Sequence, residues 1–191
     1  LETKNLSIKL MLVFEDLDEL IWNVLAYSDS DYAGDKETRL SVAGFVLYLM
    51  GVPISWRSKG MKVVAQSSTE AEYIALSETA KEVKFVYQVL VSLGIKVKLQ
   101  IIVRVDNLGA IFMSDNISVS QRTKHVDVRF RFVQQFTMEG FIKVIFVRTD
   151  ENDADLFTKN LSGDKYKKHA DKLIVNKLSL IHISEPTRRP K

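Results

Sequence analysis

The chain has 191 residues, of which 46% are hydrophobic and 27% are charged, and its formal net charge is +3. This composition fits one globular domain with a sizeable core and excludes a disordered polypeptide. The chain has no cysteine, which excludes disulfides and cysteine-based zinc sites, and it has no apolar run of about 18 residues, so no transmembrane helix is predicted.

The first part of the chain predicts an antiparallel meander. Alternating apolar residues predict a strand over 23–29, and residues 41–51 predict a second strand that is followed by a turn at Gly51 and Pro53. Residues 53–67 predict a third, interrupted strand. Because only short turns separate the three strands, we expect them to pair as antiparallel neighbours.

The second part alternates helices with strands. Apolar residues at helical spacing predict a long helix after Ser67 that ends at Gly94. The elements expected next are a strand over 97–106, a short helix over 107–115, a helix over 125–140, a strand over 141–149 and helical structure from about Asp153. Strands separated by helices tend to be parallel neighbours. The predicted fold is therefore α/β, with a five-stranded mixed sheet flanked by helices, in which strands 1-2-3 are antiparallel and strands 4 and 5 are parallel.

Acidic residues occur where these elements would meet. Asp29 ends the first strand and Asp106 the fourth, so parallel pairing of these strands would place both carboxylates at one edge of the sheet. The long helix, with Glu72, and the segment 151–157 can bring further acids there. Clustered carboxylates need cations, and oxygen ligands favour Mg²⁺ or Mn²⁺. Two such ions about 4 Å apart are suited to in-line phosphodiester cleavage.

Several segments resemble one known family in their order along the chain. They are "YSDSDYAGD", "ETRLSVAGF", "GVPISWRSK", "SSTEAEYIALS", "VDNLGAI", "RTKHVDVRFRFV" and "NDADLFTK". Over roughly residues 23–170 the chain resembles the ribonuclease H domain of copia-type retrotransposon Pol polyproteins. The resemblance implies a ribonuclease H-like fold and an endonuclease that uses two Mg²⁺ or Mn²⁺ ions. It also implies that the enzyme hydrolyses the RNA strand of RNA–DNA hybrids during reverse transcription.

The resemblance implies four residues that are both catalytic and metal-binding. They are Asp29 in "YSDSD", Glu72 in "AEY", Asp106 in "VDN" and Asp155 in "DADLF". Ser67 and Glu70 have the spacing of a capping box, which assigns Glu70 to the helix N-terminus. Glu72 lies about 200° further round the helix and can face the metals.

Neighbouring polar residues compete with two of these assignments. Asn107 suits the N-cap of the next helix better than Asp106 does. Asp150 and Asp153 share a loop with Asp155, and we interpret Asp153 as an N-cap. Asp155 is therefore the preferred ligand in that loop.

Polar residues near the acids are candidates for substrate contacts. They are Ser30, Ser68, Asn107, Arg57, Lys59, Arg122, Lys124 and His125. The uncharged ones can approach a ribose 2′-hydroxyl, and the basic ones can line a groove for phosphates. The alternative is that the charged residues are simply solvated and that His125 is structural.

The chain divides into four expected parts. They are the tail of a preceding reverse transcriptase or connection region (1–22), the ribonuclease H-like domain (23–170), a C-terminal extension (171–177) and a non-native end (178–191). We interpret the last part as translated adapter, because "LSLIHISEPTR" at 178–188 is the translation of a common transposase-based sequencing adapter. The resemblance further implies a reverse transcriptase domain of the same polyprotein and an RNA–DNA hybrid as partners. The implied location is intracellular, in the cytoplasm and the virus-like particle of the element, without a membrane.

Two other functions stay open at this level. The first is a catalytically decayed segment that binds nucleic acid without cleaving it. The second is an integrase-like strand transferase on the same scaffold, whose glutamate should come last, on a late helix. The order Asp, Glu, Asp, Asp in this chain favours the ribonuclease.

Overall fold

The computed structural model describes residues 21–34, 37–115 and 124–173, and it gives the backbone alone for residues 112, 113, 115, 124–128 and 130. Its strands are β1 (Val24–Asp31), β2 (Val42–Leu49), β3 (Val52–Gly60), β4 (Ile101–Val105) and β5 (Ile142–Phe146). Its helices are α1 (Ser68–Ser92), α2 (Leu108–Asp115), α3 (Lys124–Met138) and α4 (Gly163–Leu173), with two 3-10 helices at Thr149–Glu151 and Asp153–Phe157. The expectations for residues 1–20 and 174–191, including the translated adapter, lie outside the described residues.

The five strands form one mixed sheet in the order β3-β2-β1-β4-β5. β1 pairs antiparallel with β2, and β2 with β3, whereas β1 and β4, and β4 and β5, are parallel. This arrangement confirms the predicted α/β fold and its division into antiparallel strands 1-2-3 and parallel strands 4 and 5. It also places the carboxyl ends of β1 and β4 side by side.

The two faces of the sheet are covered differently. The main core lies between one face and the helices α1 and α3, where residues such as Leu47, Leu76 and Val133 are fully buried. A smaller cluster on the other face includes Tyr48 and Ala154, and partly buried Leu173 packs against it. The second 3-10 helix and α4 therefore cover the side of the sheet that α1 leaves open. In the described part of the chain, no helix has both the length and the apolarity to cross a membrane.

Helix α1 has the predicted ends. The Ser67 Oγ accepts a hydrogen bond from the backbone N–H of Glu70 at 3.1 Å, and the Glu70 carboxylate accepts one from the backbone N–H of Gln66 at 2.7 Å. Gly94, directly after the helix, has a φ of +79°, a left-handed conformation that costs a glycine nothing because it has no Cβ. Glu70 is thus engaged by the helix N-terminus, as its spacing from Ser67 predicts.

The predicted third strand was too long. β3 ends at Gly60, and residues 61–67 form the loop that leads into α1. Met61 and Ala65 in this loop are buried against Ala71 and Ile74 of α1. Two of the apolar residues that suggested a strand are therefore contacts by which the loop packs on the helix, whereas Val63 and Val64 are exposed.

Other boundaries also differ from the prediction. β4 begins at Ile101, and before it Val97 forms only an isolated bridge with Trp22. β5 ends at Phe146, because the chain then turns into the first 3-10 helix. The helical structure expected from Asp153 is a short 3-10 helix, and α4 begins only at Gly163 and runs to Leu173. The domain boundaries at residues 22 and 170 stay predictions.

Candidate active site

Three of the predicted acids meet at the carboxyl end of the parallel strands. The register pairs Tyr27 with Arg104, so that Asp29 and Asp106, each two residues further along, lie level on neighbouring strands. The first turns of α1 lie over the same edge and bring Glu72 to it. One carboxylate oxygen from each of Asp29, Glu72 and Asp106 lies within 4.8 Å of the others.

Glu72 has one oxygen held by the protein and one without a partner. Its Oε1 accepts hydrogen bonds from the backbone N–H of Ser30 at 3.2 Å and from the Ser30 hydroxyl at 2.8 Å. Its Oε2 is buried and has no hydrogen-bond partner among the described residues. Buried polar atoms are normally satisfied, so an orphaned oxygen beside two further carboxylates fits a bound hard cation such as Mg²⁺ or Mn²⁺.

Asp29 is completely buried and both of its oxygens accept hydrogen bonds. The Thr158 hydroxyl donates to Oδ2, and the Lys159 ammonium donates to Oδ1 at 3.0 Å. The same ammonium lies 3.0 Å from Oδ1 of Asp155. Asp155, the fourth predicted acid, is thus joined to Asp29 through Lys159, and Asp155 is not part of the three-acid group.

Contacts with the sheet fix the position of the second 3-10 helix. The Asn152 amide donates to the carbonyl oxygen of Ser28 at 2.9 Å, and its Oδ1 accepts from the backbone N–H of Ala154 at 3.2 Å. Gly44, which pairs with Asp29, provides the space, since a Cβ there would lie 2.7 Å from Thr158 Cγ2 and 2.8 Å from Phe157 Cβ. This close packing places Thr158 and Lys159 beside Asp29.

The interpretation of Asp153 as an N-cap was wrong. Asn152 caps the second 3-10 helix, and the buried Asp153 carboxylate instead contacts His169 Nδ1 at 2.8 Å and Lys172 Nζ at 2.7 Å. The Tyr48 hydroxyl donates to its other oxygen at 3.0 Å. Asp153 therefore anchors α4 to the sheet. The other neighbour of Asp155 in this loop, Asp150, is exposed and pairs with Arg148.

Burial and neighbouring negative charges make Glu72 and Asp29 reluctant to ionise. Burial, and then the charges of Asp29 and Asp106, raise the pKa of Glu72 to about 8. Burial also raises the pKa of Asp29 to about 7, with Lys159 opposing the shift and Asp155 adding to it. For Lys159, burial lowers the pKa, but the carboxylates of Asp29 and Asp155 outweigh burial and raise it overall. Glu72 and Asp29 thus bind protons readily, as expected of a site that needs a further cation.

We expect the metal-free protein to lose stability through Glu72 as the pH rises from about 4.5 to about 8. The folded state holds this proton more tightly than the unfolded state, so the free energy of unfolding falls with pH over that window. Urea unfolding in EDTA at pH 5, 6, 7 and 8, with Glu72→Gln as the reference, measures the effect. The stability of wild type relative to the variant should fall with pH, and a pH-independent difference would contradict the prediction.

The uncharged candidates for substrate contact lie near the acids, but they differ in whether their side chains already form hydrogen bonds within the protein. Ser30 is buried, and its hydroxyl donates to Glu72, so its first role is to orient that carboxylate. Asn107 Oδ1 accepts from the backbone N–H of Ala110 at 3.1 Å, which confirms Asn107 as the cap of α2. Ser68 is exposed at the first position of α1.

The basic candidates are only partly described. Arg57 and Lys59 are exposed on β3, where they line a surface cavity together with Lys62 and Arg129. Arg122 lies outside the described residues, as do the side chains of Lys124 and His125. The basic candidates that the structure describes therefore lie on β3, the outer strand of the meander.

Sequence reasoning missed the residues that hold the acids in place. These are Gly44, Asn152, Thr158 and Lys159. A signal for the last was present, because Lys159 follows Asp155 by four residues within "NDADLFTK". That spacing lets an ammonium reach the carboxylate one helical turn earlier.

Comparisons with known proteins place the chain among transposon polyproteins. It is 37% identical over 153 residues to the retrovirus-related Pol polyprotein from transposon RE1 of Arabidopsis thaliana, a match that covers 80% of this chain and 10% of the relative. It is 40% identical over 141 residues to the corresponding polyprotein from transposon TNT 1-94 of Nicotiana tabacum, covering 74% of this chain and 10% of the relative. The chain spans about a tenth of the length of these relatives. No protein-family model matches it.

A solved structure has a similar fold. LC11-RNase H1, in a crystal structure with an RNA/DNA hybrid, is similar to this chain with a TM-score of 0.54 and 15% sequence identity, over 71% of this chain and 94% of that one. The chain belongs, as a segment, to the retrovirus-related Pol polyproteins of copia-type transposons, and this segment has the ribonuclease H fold.

Proposed function

We propose that the chain is a metal-dependent endonuclease that hydrolyses the RNA strand of RNA–DNA hybrids during reverse transcription of the transposon. The observation that carries the proposal is the three-acid group of Asp29, Glu72 and Asp106, in which one carboxylate oxygen of each lies within 4.8 Å of the others. Glu72 Oε2 is also buried without a hydrogen-bond partner among the described residues. This group lies at the carboxyl end of β1 and β4, where α/β sheets form their sites. Its position on a ribonuclease H fold supports a nuclease.

The proposal assigns the four acids to cation binding. Asp29, Glu72 and Asp106 would hold one Mg²⁺ or Mn²⁺ ion. The resemblance implies that Asp155, the fourth acid, helps to hold a second ion. When bound, such an ion supplies Lewis-acid activation of the attacking water and of the phosphate. Ser30 fixes Glu72 Oε1 by two hydrogen bonds and Thr158 fixes Asp29 Oδ2, so the free lone pairs of these carboxylates are already aimed before an ion arrives.

The basic side chains of β3 support a path for the nucleic acid. Asp29, Gly44 and Ser58 form one row across β1, β2 and β3, so the β3 backbone at Ser58 lies about 10 Å from the β1 backbone at Asp29 at the usual spacing of two strands. Arg57 and Lys59 come before and after Ser58 along β3, so their side chains leave the other face of the sheet, the face of Ala43 and Phe45. From there they can neutralise phosphates of the same hybrid. We assign the backbone of the hybrid to this path and discrimination of the sugar to polar groups nearer the acids.

The partner and the location follow from the family. Since the relatives are Pol polyproteins, the proposed partner is the reverse transcriptase domain of the same polyprotein, and the proposed place of action is the virus-like particle of the element.

We expect the full chain to cleave end-labelled RNA in a hybrid with Mg²⁺ or Mn²⁺ and to lose all cleavage in EDTA. Ca²⁺ should support binding with little turnover, because its larger and looser ligand shell does not reproduce Mg²⁺ geometry. Gel analysis of the products, with binding measured in parallel, tests this. Full activity in EDTA would refute the metal site. Binding without cleavage in Mg²⁺ and in Mn²⁺ would instead favour the decayed binding segment.

A further inference from the structure

Lys159 already provides a cation in one half of the acidic site. Its Nζ lies 3.0 Å from Oδ1 of Asp29 and 3.0 Å from Oδ1 of Asp155. The two carboxylate side chains are 0% and 7% exposed, whereas the lysine side chain is 30% exposed and reaches them from the solvent side. One ammonium therefore bridges two buried acids that would otherwise repel each other.

Among the described residues, the other half of the site has no such ammonium group. There, Glu72 Oε2 has no hydrogen-bond partner among the described residues, although Asp29 and Asp106 lie beside it. The two halves share Asp29, because an ionised carboxylate has about four lone-pair sites and can serve a cation on each side. The site is thus asymmetric. The Lys159 ammonium lies between Asp29 and Asp155, whereas in the three-acid group Glu72 Oε2 is unsatisfied.

We propose that Lys159 is the second cation of this site and that, without substrate, it limits the protein to one tightly bound divalent ion, held by Asp29, Glu72 and Asp106. The inference rests on the proposed function, because it takes the three-acid group as a metal site. It replaces the expectation of two resident ions with one ion and one ammonium.

Competition for the same oxygen atoms is the physical reason. A divalent ion bridging Asp29 and Asp155 would need Mg–O distances of about 2.0–2.1 Å to oxygens that the ammonium already contacts. The ion and the ammonium would also repel each other at that range. Lys159 is covalently part of the chain and four residues from Asp155, so a dissolved ion must displace a tethered competitor.

Counting Mn²⁺ ions on the full chain tests the inference without any cleavage assay. Isothermal titration calorimetry and the electron paramagnetic resonance signal of free Mn²⁺ give the stoichiometry and the affinity. We expect one ion on wild type, and a second ion on Lys159→Met that binds at least tenfold more tightly than any second ion on wild type. Lys159→Arg, which keeps the charge, should bind one ion. Lys172→Met is the matched control, because Lys172 contacts an aspartate outside the group, Asp153, at 2.7 Å.

Each result bears on a different claim. Two equally tight ions on wild type would overturn the inference, and this count needs no variant. A single ion on Lys159→Met would also overturn it while leaving the three-acid metal site intact. No ion on any folded variant would overturn both the inference and the proposed metal site. If Lys159→Met does not fold, as judged by circular dichroism, Lys159→Gln takes its place, and the same stoichiometries are expected.

Discussion

Replacing Glu72 by glutamine is expected to slow cleavage of an RNA–DNA hybrid at least about a thousandfold, which corresponds to about 4 kcal/mol of transition-state stabilisation. Glu72 contributes a buried oxygen to the three-acid group that no described donor satisfies. An amide at this position removes a negative charge and replaces a cation ligand by an N–H donor. The loss should therefore appear in the rate of cleavage at saturating Mg²⁺, as well as in the affinity for the ion.

The same substitution should leave the protein folded. The amide oxygen of glutamine can still accept the two hydrogen bonds that Ser30 donates to Glu72 Oε1. Removing one of three clustered carboxylate charges, two of which are buried, also relieves repulsion in the metal-free state. Circular dichroism and urea unfolding in EDTA should show a variant at least as stable as wild type at pH 8, and an unfolded variant would contradict this account.

Glu70→Gln is the matched control, because it makes the same chemical change two residues away on the same helix. The Glu70 carboxylate accepts a hydrogen bond from the backbone N–H of Gln66 at 2.7 Å, and an amide oxygen can accept that bond as well. This variant should keep cleavage within a few-fold of wild type. An inactive Glu70→Gln together with an active Glu72→Gln would reverse the two assignments.

The features that could be predicted from the sequence depend on local periodicity and on topology. Alternation and helical spacing were enough for the order of strands and helices. The parallel pairing of β1 with β4, which places Asp29 and Asp106 side by side, was a condition of the sequence argument, and the structure meets it. The ends of α1 were also predictable, because Ser67, Glu70 and Gly94 act within a few residues of their own position.

Contacts between distant residues could not be predicted in this way. Asp153 resembles a cap locally, yet its partners are Tyr48, 105 residues earlier, and His169 and Lys172, 16 and 19 residues later. The loop 61–67 resembles a strand because it is rich in apolar residues, of which Met61 and Ala65 pack against α1 and Ala43 of β2. The bridge made by Lys159 depends on Gly44, whose missing Cβ lets the second 3-10 helix approach β2, and no pattern along the chain indicates that approach.

Replacing two or three consecutive ribonucleotides at the cleavage point by deoxyribonucleotides is expected to suppress cleavage there at least about a hundredfold, or about 2.7 kcal/mol. The proposed cation ligands act on phosphate, which DNA and RNA share, so they cannot supply this discrimination. It must come from polar groups that contact the sugar. A group that faces a missing 2′-hydroxyl is left unpaired, at a cost of about 1–3 kcal/mol for each contact.

The hydrogen bonds of the described residues limit which side chains are available to contact the 2′-hydroxyl. The Ser30 hydroxyl is engaged with Glu72, whereas Ser68 is exposed at the start of α1, and Asn107 caps α2 through its oxygen and keeps an amide nitrogen for other contacts. Asn107→Ser retains a good capping residue and removes the amide donor, so it separates the two roles. If Asn107 reads the sugar, this variant should cleave all-ribose hybrids more slowly and should discriminate less against deoxyribose at the cleavage point.

Binding should respond much less than cleavage to the deoxyribose substitution, because phosphate contacts carry most of the affinity for nucleic acids. If Arg57 and Lys59 contact phosphates, as we propose, they do so alike in either strand type, so raising the salt concentration should weaken binding to hybrid and to duplex DNA by similar factors. Cleavage and binding measured on a matched set of hybrid, chimeric and duplex DNA substrates separate the two effects. Equal cleavage of duplex DNA would exclude hybrid-specific hydrolysis and would favour the integrase-like strand transferase, whose products are joined DNA ends and not shortened RNA.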